Sequence, residues 1–192
     1  MLEGKLVKLR ARELADVDRA YAWINDREVT RHLIARYPLS RADEEQWLKN
    51  TPTNSVGNGV ALAIETQDGT HIGNIDLHPV ASEDRHAALG VMIGEKDYWS
   101  KGYGTDAIVT LLRFAFDEMN LNRVWLTVDD RNERARACYR KCGFREEARW
   151  RQDRFTEGAY HDTLVMGVRR DEFAALHNNG TIAEEGGHHA GR

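Results

Sequence analysis

Residues 98–107, YWSKGYGTDA, set two glycines two apart behind a lysine, at the mouth of an apolar-periodic run. Ile108, Leu111, Leu112, Ala115, Phe116 and Met119 recur downstream at spacings of three and four, which predicts a helix with one buried face. A glycine-rich turn that opens a helix leaves backbone N–H groups free at the positive end of the helix dipole, an arrangement suited to an anion. A Walker A loop does not fit, because its lysine follows the glycines and here Lys101 precedes them. A dinucleotide fingerprint needs a tight turn after its strand, whereas the strand signal here ends near Gly94, a long connection away. Two readings of Lys101, Gly102, Tyr103, Gly104 and Thr105 stay open at this point: a plain turn, and a pyrophosphate loop reached by a longer strand-to-helix connection.

The remaining elements supply the frame. Alternation over 5–10 predicts a half-buried strand, and Val17, Ala20, Tyr21 and Ile24 form one stripe of a helix over 15–25. Ser40 is placed to cap a second helix whose first turn carries Asp43 and Glu44. Residues 51–59 read as a loop, and Asp68-Gly69 joins two strands into a hairpin. Further strands are predicted over 85–94, 123–129, 144–150 and 162–169, with a short helix over 132–141 closed by Gly143. The pattern is a mixed α+β sheet with helices on both faces and no internal repeat. It forms one domain over 1–175, with a mobile, glycine-rich tail over 176–192.

Composition narrows the partners. The formal net charge is −4, so no global basic field points to nucleic acid. No apolar run approaches the ~20 residues of a membrane span, so no membrane partner is expected. Charges in MLEGKLVKLRARE occupy the place of a signal peptide's apolar stretch, which points to a cytoplasmic chain. Cys138 and Cys142 are not spaced C-x-x-C and read as incidental thiols in a reducing compartment. The pair His188-His189 lies in the tail and is weak evidence for a metal, so no metal site is assigned.

A second motif decides between the readings of the glycine turn. Residues 132–144, NERARACYRKCGF, resemble N-x-x-(S/A)-x-x-x-Y-x-K-x-G-F, and YWSKGYGTDA resembles a (Q/R)-x-x-G-x-(G/A) acetyl-CoA loop. Together, in this order and with a helix and a strand between them, they resemble the GCN5-related N-acetyltransferase (GNAT) superfamily, in its ribosomal-protein N-terminal acetyltransferase-like branch. The resemblance covers residues 2–173 and implies a mostly antiparallel twisted sheet of about six or seven strands, splayed in the middle, with helices on both faces. One departure is Trp99, which stands where the family has Gln or Arg.

The resemblance implies roles. Val91, Met92 and Ile93 would lie on the splayed strand and offer backbone groups to the pantetheine amides of acetyl-CoA. Lys101, Gly102, Tyr103, Gly104 and Thr105 would wrap the pyrophosphate. Asn132 would hydrogen-bond the pantetheine arm, and it is equally suited to cap its own helix. Tyr139 would be the general acid that protonates the departing sulfur; on spacing alone it reads as a packing aromatic.

The base is open. Ala88 stands where this branch is often acidic, and the candidates by position are Asp76, His78, Glu83, Asp84, His86 or a water chain. The acceptor pocket would be built from 23–37 and 150–160, with Trp23, Arg27, His32, Tyr37, Trp150, Arg151, Arg154 and Tyr160 as candidates. Those arginines favour a peptide N-terminal amine or an anionic small-molecule amine. The alternatives are transfer of another acyl group such as succinyl, and a non-catalytic acyl-CoA-binding module on the same scaffold. A homodimer is the assembly that general symmetry preferences suggest.

Overall fold

Strands of up to twelve residues and amphipathic helices build the fold. The computed structural model describes residues 1–50 and 59–177. One sheet contains β1 (Leu2–Glu3), β2 (Val7–Ala11), β3 (Val60–Thr66), β4 (His71–Ala81), β5 (His86–Ile93), β6 (Arg123–Asp129), β7 (Arg145–Thr156) and β8 (Ala159–Arg169). Their order is β1-β2-β3-β4-β5-β6-β8-β7. The helices are α1 (Val17–Ile24), α2 (Arg27–Thr30), α3 (Arg41–Asn50), α4 (Tyr103–Asp117), α5 (Glu133–Lys141) and α6 (Arg170–His177). No helix among the described residues is long and apolar enough to cross a membrane.

All neighbouring strands run antiparallel except β5 and β6, which are parallel. That parallel pairing lasts only from His86–Arg123 to Ala88–Trp125. Beyond it β5 continues to Ile93 beside β4 alone, so the sheet opens at its centre. α4 buries Ala107, Ile108, Leu111, Leu112, Ala115 and Phe116 in the core formed with Leu9, Ile64, Ile75, Leu89, Val124 and Leu126. Its stripe matches the sequence periodicity. Asp106 in its first turn accepts hydrogen bonds from the backbone N–H groups of Lys5, Leu6 and Val7 at 3.2, 2.7 and 3.1 Å. The start of α4 is thereby fixed to the far edge of the sheet.

The expected mixed sheet is present, with eight strands; β1 is too short for alternation to reveal it. The final hairpin is longer than expected. Its turn, Glu157-Gly158, has φ of 53° and 80°, the left-handed conformation that two-residue hairpins need, but Glu-Gly is a weaker signal than Asn-Gly. α2 was not expected; Asp26 caps it, accepting from the N–H of Glu28 at 2.8 Å. Ser40 and Asp43 form the expected cap of α3, each side chain accepting from the other's backbone N–H at 3.1 Å. Of the expected tail, Leu176 and His177 end α6; the rest, like the loop expected over 51–58, lies outside the described residues.

Candidate active site

The opening between β5 and β6 is the floor of a cavity of about 1100 Å³. Val91, Met92 and Ile93 line it, with β4 paired on one flank only. Trp99 holds the end of this strand: its indole Nε1–H donates to the carbonyl of Ile93 at 2.7 Å. The Arg134 guanidinium stacks on the Trp99 ring, 3.7 Å from its centroid. Trp99 and Arg134 both line the cavity, and sequence reasoning missed the role of each.

The glycine turn forms the cavity's next wall. Gly102 caps α4 in the left-handed conformation, φ 92° and ψ −12°, which L-residues other than glycine rarely hold. The first intrahelical bond runs from Asp106 N–H to Gly102 C=O at 2.9 Å. The N–H groups of Tyr103, Gly104 and Thr105 precede that bond and have no intrahelical acceptor. Gly104 differs from Gly102, because a Cβ built on it would meet only Ile93 Cγ1 at 3.7 Å and Cys138 Sγ at 3.9 Å, ordinary contacts. The fold would accept a side chain there.

α5 supplies the third wall. Asn132 caps it through Oδ1, which accepts from Ala135 N–H at 3.1 Å. The cap is therefore present, and Asn132 also lines the cavity. Tyr139 lines the cavity, is 9% exposed, and packs its ring on Phe144 at 6.0 Å. Burial, then the neighbouring thiols, hold its phenol well above the usual range, so it stays a proton donor at neutral pH. Cys138 also lines the cavity, with Sγ 3.3 Å from Thr105 Oγ1. Hydrogen bonding with Cys142 and Thr105 draws its thiol below the usual range, against burial.

Opposite these walls lie Arg12, Glu44, Trp47 and Asp76. Asp76 pairs across strands with Gly90 and faces the opening just past the last β5–β6 pair. Burial pushes both Asp76 and Glu44 above the usual carboxylate range.

The sequence-predicted residues divide. Val91, Met92, Ile93, Gly102, Gly104, Thr105, Asn132 and Tyr139 line one cavity; Lys101 and Tyr103 do not. Tyr103 instead stacks edge-on against Tyr98 at 5.0 Å, since a first-turn side chain points away from the N–H groups beside it. Of the base candidates, Asp76 lines the cavity, whereas His78, Glu83 and Asp84 are exposed and His86 lies outside the lining.

The acceptor candidates fare less well. Only His32 and Arg154 reach the cavity. Arg154 is engaged by the carbonyls of His32 and Leu33. Trp23 is 5% exposed and packs edge-on against His71, while Tyr37, Trp150 and Tyr160 stand in solvent. Aromatics at these positions carried no signal that could separate core from pocket.

Comparison with known proteins follows this geometry. Residues 7–145 match the family described as acetyltransferase (GNAT) domain. The uncharacterized N-acetyltransferase YoaA of Bacillus subtilis (strain 168) is 27% identical over 174 residues, which cover 88% of this chain and 96% of that protein. Spermidine N(1)-acetyltransferase of Escherichia coli (strain K12) is 30% identical over 110 residues, covering 57% of this chain and 59% of that enzyme. The crystal structure of spermidine N-acetyltransferase from Vibrio cholerae in complex with CoA and spermine superposes with a TM-score of 0.78 at 25% identity, covering 88% of this chain and 98% of that one.

Proposed function

The chain belongs to the acetyltransferase (GNAT) family, and from that premise we propose that it transfers the acetyl group of acetyl-CoA to a primary amine by direct attack on the thioester. The observation that carries this reading is the convergence of three walls on one cavity: the free flank of β5, the glycine turn of α4, and Tyr139 on α5. Acetyl-CoA supplies an activated acyl group and a thiolate leaving group; everything else falls to the chain's own side chains.

The N–H groups of Tyr103, Gly104 and Thr105 bind the pyrophosphate at the positive end of α4, and Gly104 admits it. Arg134, held flat by Trp99, adds a positive charge beside that turn. The backbone of Val91, Met92 and Ile93, with the Asn132 amide, aligns the pantetheine arm. Asp76 takes the proton the amine must lose, directly or through water, and its raised pKa brings it closer to neutral pH as a base. Tyr139 donates its proton to the departing sulfur and is recharged from solvent. The domain spans residues 1–175 and works in the cytoplasm, in keeping with its two free thiols.

Thermal denaturation with acetyl-CoA, ATP and NADH tests the reading. Acetyl-CoA at ~100 times its Kd adds about 2.7 kcal/mol, a rise of roughly 5–11 °C, and ATP and NADH give little. Absence of a rise with millimolar acetyl-CoA overturns it.

A further inference from the structure

We infer that Arg12 is a specificity-determining residue, and that the amine acetylated here carries a carboxylate close to its nitrogen. The inference rests on the transferase reading of the cavity and names the acceptor class that reading leaves open. Arg12 follows directly on β2 and lines the same cavity as Tyr139. Its guanidinium lies over the Trp47 ring, 4.7 Å from the centroid. Its Nε and Nη1 are enclosed, yet neither has a hydrogen-bond partner.

Other arginines near the site differ. Arg10 is bound by Asp16 and Glu65, Arg131 by Asp129, and Arg154 by two carbonyls. Among the described residues Arg12 has neither an ion pair nor a hydrogen bond at Nε or Nη1, and a guanidinium is matched best by a carboxylate.

The two carboxylates in the same wall complete the argument. Glu44 is 5% exposed and Asp76 sits over Gly90, and no ion pair joins either to Arg12 among the described residues. Burial lowers Arg12 and raises both acids, while the Arg12 charge draws both acids back the other way, so the three are electrostatic neighbours. The cavity therefore offers a cation near two anions, with no ion pair closed between them among the described residues. An amine with its own carboxylate meets both: the ammonium faces Asp76 and Glu44, the carboxylate faces Arg12. A polyamine meets only the acids and brings a second cation against Arg12.

The test is steady-state acetylation by the full chain of matched pairs: phenylalanine and its carboxamide, 4-aminobutyrate and its carboxamide, with spermidine and propylamine alongside. The two acids differ in the separation of nitrogen and carboxylate, and the better one fixes that distance. Each acid is expected to exceed its own carboxamide about tenfold or more in kcat/KM. In Arg12→Gln that ratio collapses toward one through KM, and Arg12→Lys restores part of it. Carboxamides or spermidine used as well as the acids by the wild type would overturn the inference, and this holds even if the variants fail to fold. An Arg12→Gln variant that loses acid and carboxamide alike would show a structural role only and overturn it too. Product from no amine, with the acetyl-CoA thermal shift intact, would instead remove the transferase reading and the inference with it.

Discussion

Asp76 rests its carboxylate on the backbone of Gly90: a Cβ built on that glycine would lie 2.9 Å from both carboxylate oxygens. The two residues are cross-strand partners at the point where β5 leaves β6. A methyl group there pushes the carboxylate aside without touching its chemistry. Gly90→Ala and Asp76→Asn are therefore expected to lower kcat together, by about 10²–10⁴-fold for the direct loss of a base. The base acts only when ionised, so activity falls as pH drops through its raised value, at a higher pH than an ordinary carboxylate would give. Asp76→Asn abolishes that acid limb, and an unaltered pH profile in the variant removes Asp76 from the role.

Gly104 and Gly102 separate ligand from fold. Gly104→Ala meets only ordinary contacts within the protein, so its melting temperature should hold while acetyl-CoA affinity falls. Gly102→Ala places an L-residue at φ 92°, which costs about 1–2 kcal/mol of stability whatever the ligand. Calorimetric titration beside thermal denaturation distinguishes the two, and a destabilised Gly104→Ala contradicts this assignment.

Tyr139→Phe removes a proton donor and keeps the ring on Phe144. Turnover should drop about 10²–10⁴-fold with acetyl-CoA binding retained. Because burial raises the phenol, the wild-type rate should show no alkaline fall from Tyr139 near its ordinary value of about 10. A Phe variant at full speed excludes the tyrosine as general acid.

The part of the cavity lined by the α4 turn and α5 was legible because its determinants are local. The turn and α4 adjoin in sequence, and the Asn132-to-Tyr139 face lies on one short helix. The remainder was not. Arg12, Glu44 and Asp76 stand on three separate elements and meet only once α3 folds over the sheet. Trp23 and Arg154 have the composition of pocket residues, but one is packed on His71 and the other straps the 32–33 backbone. Burial and partner, which distinguish such residues, are tertiary properties.

Asp129 should govern acid stability. It is 1% exposed at the end of β6, accepts from Arg131 Nη2 at 2.8 Å, and lies 3.2 Å from His32 Nδ1. Burial alone would raise its pKa, but the Arg131 and His32 contacts outweigh it and hold the carboxyl well below the usual range. A carboxyl depressed in the folded state stabilises it above its ordinary pKa near 4, and that contribution disappears as pH falls toward the folded value. Asp129→Asn is expected to cost about 1–3 kcal/mol at pH 7 by removing the buried anion of Arg131, which among the described residues keeps only Glu157. It should also flatten the dependence of melting temperature on pH below about 4. Melting curves of both proteins between pH 7 and pH 3 decide the matter: parallel curves would mean that Asp129 carries no such linkage.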